Sequence, residues 1–173
     1  VTALETWAKE MGWCQTGKLN FWRNGSYDEF MGLSEGYLCV INDRKDRIAL
    51  RVLFLSENKE RAKEIKTMFR RDRDLLPKGG ITIRDNVITL IFGSFLFFFR
   101  NKVERAKATL PAITSWLRSK SIRPSVVCAC GRQDRLKCVM EGDGAVHIRC
   151  PECAANVQSP ITATPANTRA SAA

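Results

Sequence analysis

Five of the seven cysteines and the only histidine fall in one short stretch, Val127 to Cys153, reading VCACGRQDRLKCVMEGDGAVHIRCPEC. No other feature restricts the fold as much. Thiolates paired at turn spacing close a tetrahedral metal site, and such a site holds a segment too small for a core of its own. Cys150-Pro151-Glu152-Cys153 is one such pair, with Pro151 setting the turn. Cys128-Ala129-Cys130-Gly131 is the second, and Gly131 can take the positive φ that such a turn often needs. The gap between the pairs suits a short β-hairpin, bent at Gly142-Asp143-Gly144 and flanked by strands over Lys137 to Glu141 and Ala145 to Arg149.

From about Val126 to Val157 the chain resembles the zinc ribbon family, two cysteine knuckles on two hairpin turns. Cys150-Pro151-Glu152-Cys153 fits the ribbon knuckle closely; the first knuckle departs from it, with one residue rather than two between its cysteines. Cys128, Cys130, Cys138, Cys150, Cys153 and His147 compete for four ligand places. The favoured set is Cys128, Cys130, Cys150 and Cys153 around one zinc ion, because paired knuckles need the least chain to be ordered. Cys138 could replace a member of the first pair, and His147 could enter as a nitrogen ligand or lay its ring on the hairpin surface. A disulfide framework is set aside, since Cys14 and Cys39 lie far away and the total is odd. Zinc is thus the expected cofactor, and a reducing compartment, the cytoplasm, the expected location. The surplus thiols, Cys138 above all, leave redox sensing as a further role.

At 173 residues the chain can bury one core of ordinary size and carry a small satellite that the metal stabilises. The expected division is an α+β domain over 1–120, a zinc ribbon over 121–157 and a disordered tail or linker over 158–173. No secretory leader is read at Val1. Thr2 to Met11 has helical spacing, with Leu4, Trp7, Ala8 and Met11 on one face and Thr2 as cap. Trp13, Phe21 and Trp22 read as core aromatics around a strand at Lys18 to Arg23, and Asn24 to Glu35 as a glycine-broken polar stretch. Tyr37 to Asn42 and Arg47 to Leu55 form a hairpin with a charged tip. A helix capped by Ser56 or Asn58 runs to about Arg73, turning Ala62, Ile65, Met68 and Phe69 inward.

Ile81 to Arg84, Val87 to Phe92 and Phe95 to Arg100 read as a three-stranded meander turned at Asp85-Asn86 and Gly93-Ser94. A membrane helix over Val87 to Phe99 would fall short of the roughly 20 residues a span requires. Asn101 caps a closing helix to Arg118, with Val103, Ala106, Leu110, Ile113, Trp116 and Leu117 on its buried stripe and a kink or break expected at Pro111. The fold class is therefore α+β, an antiparallel sheet with packed helices followed by a small C-terminal zinc ribbon. This layout resembles small uncharacterised bacterial proteins in which an α+β domain precedes a zinc ribbon. The tail, SPITATPANTRASAA, cannot bury a core.

The net charge of +10 is unevenly placed: −3 over Val1 to Asp43, +11 over Arg44 to Lys120 and +1 over Ser121 to Ala155, with Arg169 supplying the last unit. A basic surface attracts nucleic acid, anionic membrane or acidic proteins. No Ser/His/Asp or Cys/His arrangement stands apart from the cysteine cluster, no phosphate loop is present, and the deaminase spacing is not met. The expectation is a non-enzymatic, zinc-binding protein-interaction module with a protein partner, for which an acidic surface would suit the charge, and no membrane span. The alternative is a nucleic-acid binder that grips phosphates through the basic surface and the ribbon hairpin. Its contact residues would be Lys63, Lys66, Arg70, Arg71 and Arg73, with Arg132 and Arg135 of the ribbon.

Overall fold

The computed structural model describes residues 2–21, 25–44, 47–77, 80–93, 102–131, 136–142, 146–153 and 156–157. Among the described residues, ten strands and three α-helices follow in the order α1 (Ala3–Glu10), β1 (Cys14–Phe21), β2 (Gly25–Ser34), β3 (Tyr37–Arg44), β4 (Arg47–Leu55) and α2 (Lys59–Arg71). A 3-10 turn, Arg73–Leu75, leads to β5 (Gly80–Arg84), β6 (Val87–Gly93), α3 (Lys102–Ser119), β7 (Arg123–Pro124), β8 (Lys137–Met140), β9 (Val146–Arg149) and β10 (Asn156–Val157). The large sheet is antiparallel, in the order β1-β2-β3-β4-β6-β5, with β7 paired to the end of β4. A second, three-stranded sheet, β10-β9-β8, occupies the stretch expected to form the ribbon. The fold is the expected α+β arrangement.

Side-chain alternation on the central strands assigns each face of the large sheet a different cover. Tyr37, Cys39 and Ile41 of β3 and Ile48, Leu50, Val52 and Phe54 of β4 lie in one core with Leu4, Trp7 and Ala8 of α1, Ile65 and Phe69 of α2, and the buried stripe of α3. Leu38 and Leu53 point the other way, into a second cluster with Val126, Cys128, Leu136, Ile148 and Cys150, joined by half-buried Met31, Leu33, Val40 and Cys138. Helices, sheet and ribbon are thus three stacked layers.

Local chemistry explains the elements. The Thr2 hydroxyl accepts from the Glu5 N–H at 3.1 Å, and the Asn58 side chain accepts from the Arg61 N–H at 2.8 Å, so both helices are capped and Asn58 rather than Ser56 starts α2. Asp85 and Asn86 take φ of 46° and 63°, the doubly left-handed turn expected between β5 and β6. All six side chains predicted for the α3 stripe are buried. Of the kink or break expected at Pro111, the break does not occur: the helix runs from Lys102 to Ser119 with the proline inside it. Proline removes a single intrahelical donor, and the continuous buried stripe on both sides outweighs that loss.

Two expectations for the N-terminal half change. The first strand begins at Cys14, earlier than Lys18, and the polar stretch is a full strand, β2. Its Gly32 is no strand breaker: a Cβ there would stand 2.0 Å from Cδ1 of Trp13, so the missing side chain makes room for the indole. Trp13 Nε1 then donates to the Leu33 carbonyl at 3.2 Å. Trp22, the Gly93-Ser94 turn, the Phe95 to Arg100 strand, the Asn101 cap and the 158–173 tail lie outside the described residues.

Candidate metal centre

The chain reaches the ribbon by a route fixed in the first core. Buried Tyr37 donates from its hydroxyl to the Ile122 carbonyl at 2.6 Å, anchoring the exit from α3. Strand β7 then pairs with Phe54 and Leu55, and Val126 and Cys128 turn into the second cluster. The first knuckle closes with the Gly131 N–H donating to the Cys128 carbonyl at 2.8 Å, and Gly131 has the positive φ, 82°, expected of it.

The four favoured cysteines come together. The Sγ atoms of Cys128, Cys130, Cys150 and Cys153 all lie within 4.8 Å of one another. Cys128 and Cys153 sulfurs are 3.3 Å apart and those of Cys130 and Cys150 3.6 Å. Four sulfurs around a zinc ion at its usual bond length would be separated by about 3.8 Å, so the cluster has the size of a metal site. Cys128 and Cys150 are buried while Cys130 and Cys153 are exposed, which places the group at the rim of the ribbon.

Backbone amides already favour negative sulfur. The Cys150 thiol is drawn down to about 7, chiefly by the N–H of Cys153 and, against burial, also by that of Glu152. At Cys128 the N–H of Cys130 acts in the same sense, but the neighbouring thiols and burial outweigh it and push the group up. Four such groups this close cannot all ionise without a cation between them.

The two alternative ligands face elsewhere, for a reason set by strand register. Residues directly opposite on an antiparallel pair share a face. Cys138 stands opposite Ile148, and both turn toward the large sheet. His147 stands opposite Val139, half-exposed, with Nε2 3.7 Å from a Glu141 oxygen. Neither belongs to the sulfur cluster. The surplus thiols are held protonated: burial pushes Cys138 up to about 12, and burial also raises Cys14 and Cys39.

The basic candidates divide. Lys63, Lys66 and Arg70 are exposed on α2. Arg71 Nε lies 2.9 Å from Asp72 Oδ1, and Arg73 donates to the Pro77 carbonyl at 3.3 Å, so both are engaged within the fold. Arg132 and Arg135 lie outside the described residues. The core residues of α2 lie on one side of the large sheet and those of the ribbon on the other.

A groove of about 550 Å³ lined by Glu35, Tyr37, Arg118, Ser121, Ile122, Arg123 and Pro124 lies beside the α3 exit. Its arginines meet carboxylates, Arg118 with Glu35 at 3.5 Å and Arg123 with Glu57 at 3.4 Å, and no nucleophile and base are paired in it. Among the described residues no helix is long and apolar enough to cross a membrane. Comparison of the chain with protein-family models, with curated proteins and with solved structures finds no match. The four cysteines are therefore assigned on geometry alone, as a cluster that could hold a metal ion and is compatible with a zinc-ribbon-like segment.

Proposed function

We propose that this chain is a non-catalytic interaction module in which one zinc ion, held by Cys128, Cys130, Cys150 and Cys153, keeps the ribbon folded against the sheet. The observation that carries the reading is the convergence of four thiols from two turns within 4.8 Å. Zinc suits four soft sulfurs in a tetrahedron, and four protein ligands leave no coordination position for water or substrate. Ligand thiols must be reduced, so the natural setting is a reducing compartment such as the cytoplasm. The basic middle of the chain supports an anionic partner, protein or nucleic acid, over a neutral one.

Zinc X-ray absorption on the intact chain tests the non-catalytic reading. A single shell of four sulfurs at about 2.3 Å is expected. A shell containing oxygen or nitrogen would mean an open or mixed site and would contradict it.

A further inference from the structure

The ion pairs sort the basic side chains into two groups. Lys102 meets Asp43 at 2.6 Å, Lys107 meets Glu104 at 3.2 Å and Lys120 meets Asp72 at 2.7 Å, as Arg118 and Arg123 meet their glutamates. On α2 itself Arg61 is held by Glu64 and Arg71 by Asp72. Lys59, Lys63, Lys66 and Arg70 are exposed and have no ion-pair partner among the described residues. Their spacing puts them in single file along one side of the helix, over about 16 Å, roughly 100–140° around the axis from Phe69 and Ile65 in the core. Like charges one turn apart destabilise a helix, so the file stands against local stability and raises the positive potential along a line.

The surroundings of the file select among anionic partners. Protein interfaces centre on buried aromatic or apolar anchors, and membrane-surface helices carry apolar side chains beside their cations. Within the file the intervening positions are Glu60, Arg61, Ala62, Glu64, the core residues and Thr67, and exposed Leu75 lies beyond the helix end. Among the described residues, the large apolar side chains that are exposed include no aromatic ring on which unpaired bases could stack. The Thr67 hydroxyl donates back to the Lys63 carbonyl at 3.0 Å, so its proton is already used and is not offered to a ribose 2′-OH.

We propose that Lys59, Lys63, Lys66 and Arg70 bind the phosphate backbone of double-stranded DNA without reading its sequence. The proposal rests on the interaction-module reading and names the partner; the ribbon, on the opposite face of the sheet, takes no part in the contact. Lysine and arginine on phosphate release counterions, so each contact contributes to the salt dependence of binding.

The test measures binding of the full chain to a short DNA duplex of random sequence across a salt series. It compares Lys63→Ala/Lys66→Ala/Arg70→Ala with Lys107→Ala/Arg118→Ala/Arg123→Ala, which removes the same charge from ion-paired positions. The α2 triple is expected to reduce the slope of log affinity against log salt by nearly 3 units and to weaken low-salt binding roughly a hundredfold. The control triple is expected to change the slope by less than about 1 unit. Equal losses in both triples, no binding by the unaltered chain, or tighter binding to an RNA duplex or to phosphatidylserine vesicles would overturn the proposal. Zinc content is read on the same samples: zinc without DNA binding removes this inference alone, whereas α2-dependent DNA binding without zinc upholds it and removes the metal reading.

Discussion

Asp72 Oδ2 lies 3.1 Å from the indole Nε1 of Trp116, so a buried carboxylate ties the end of α2 to the last turns of α3. The same oxygen meets Lys120 Nζ at 2.7 Å, while Oδ1 meets Arg71 Nε at 2.9 Å. Trp116 in turn packs edge-on against Phe69, with ring centroids 5.7 Å apart. The Arg71 guanidinium first, then Lys120 and the indole, hold the Asp72 carboxyl well below the usual carboxylate range. A carboxyl whose folded pKa is depressed stabilises the fold above its unfolded pKa and loses that contribution as pH falls toward the folded value. Asp72→Asn is therefore expected to lower the melting temperature by several degrees at neutral pH. The gap to the unaltered chain should narrow below about pH 4. Melts that show the same gap at both pH values would contradict this.

Gly32 and Trp13 are locked by close approach. A methyl group at position 32 would sit inside the indole, 2.0 Å from Cδ1, and the ring also packs on Trp7 at 5.6 Å, so it has little freedom to move. Gly32→Ala is expected to destabilise the fold by about 3 kcal/mol or more, at the upper end for overpacking. Denaturant unfolding measures it; a change under about 1 kcal/mol would mean that the indole moves aside freely.

The ribbon shields the sheet. Ile148 is 4% exposed in the cluster it shares with Leu38 and Leu53, and Ile148→Ala is expected to lose about 2–4 kcal/mol. Stripping the metal with a strong chelator should release the ribbon and uncover Leu38, Leu53, Leu33 and Val40. The helical core, which packs on the opposite face, should keep its far-UV circular dichroism. Increased binding of a hydrophobic dye without loss of helical signal is the expected outcome; unchanged dye binding would mean that the ribbon stays docked without metal.

The ligand set is separable by single substitutions. Cys150→Ser should abolish stoichiometric zinc, because it removes one of four sulfurs. Cys138→Ser and His147→Ala should leave zinc content unchanged, since Cys138 faces the sheet and His147 the hairpin surface. Loss of zinc in either of the last two would reassign the site.

The parts legible in the sequence are those decided by neighbours in the chain. Thr2 and Asn58 announce their helices, Asp85-Asn86 its turn, and the helical period the α3 stripe. The four sulfurs were readable because turn-spaced pairs need no knowledge of the rest of the fold. Gly32 misled because its reason lies in Trp13, a residue on another element. The docking of the ribbon left one local trace, the unbroken apolar run Tyr37-Leu38-Cys39-Val40-Ile41. Such a run means that both faces of a strand are covered, although it does not name the cover. Whether Cys138 faced the sheet or the outer surface of the hairpin depended on the β8–β9 register, which a shift of one residue would reverse.

Metal content of the intact chain tests the central claim most directly. Elemental analysis of protein purified without added metal, with Cys150→Ser beside it, should find one zinc per unaltered chain and none in the variant. A chain that folds with its ribbon docked and holds no zinc, or a variant that keeps its zinc, would contradict the assignment of Cys128, Cys130, Cys150 and Cys153 as the metal centre.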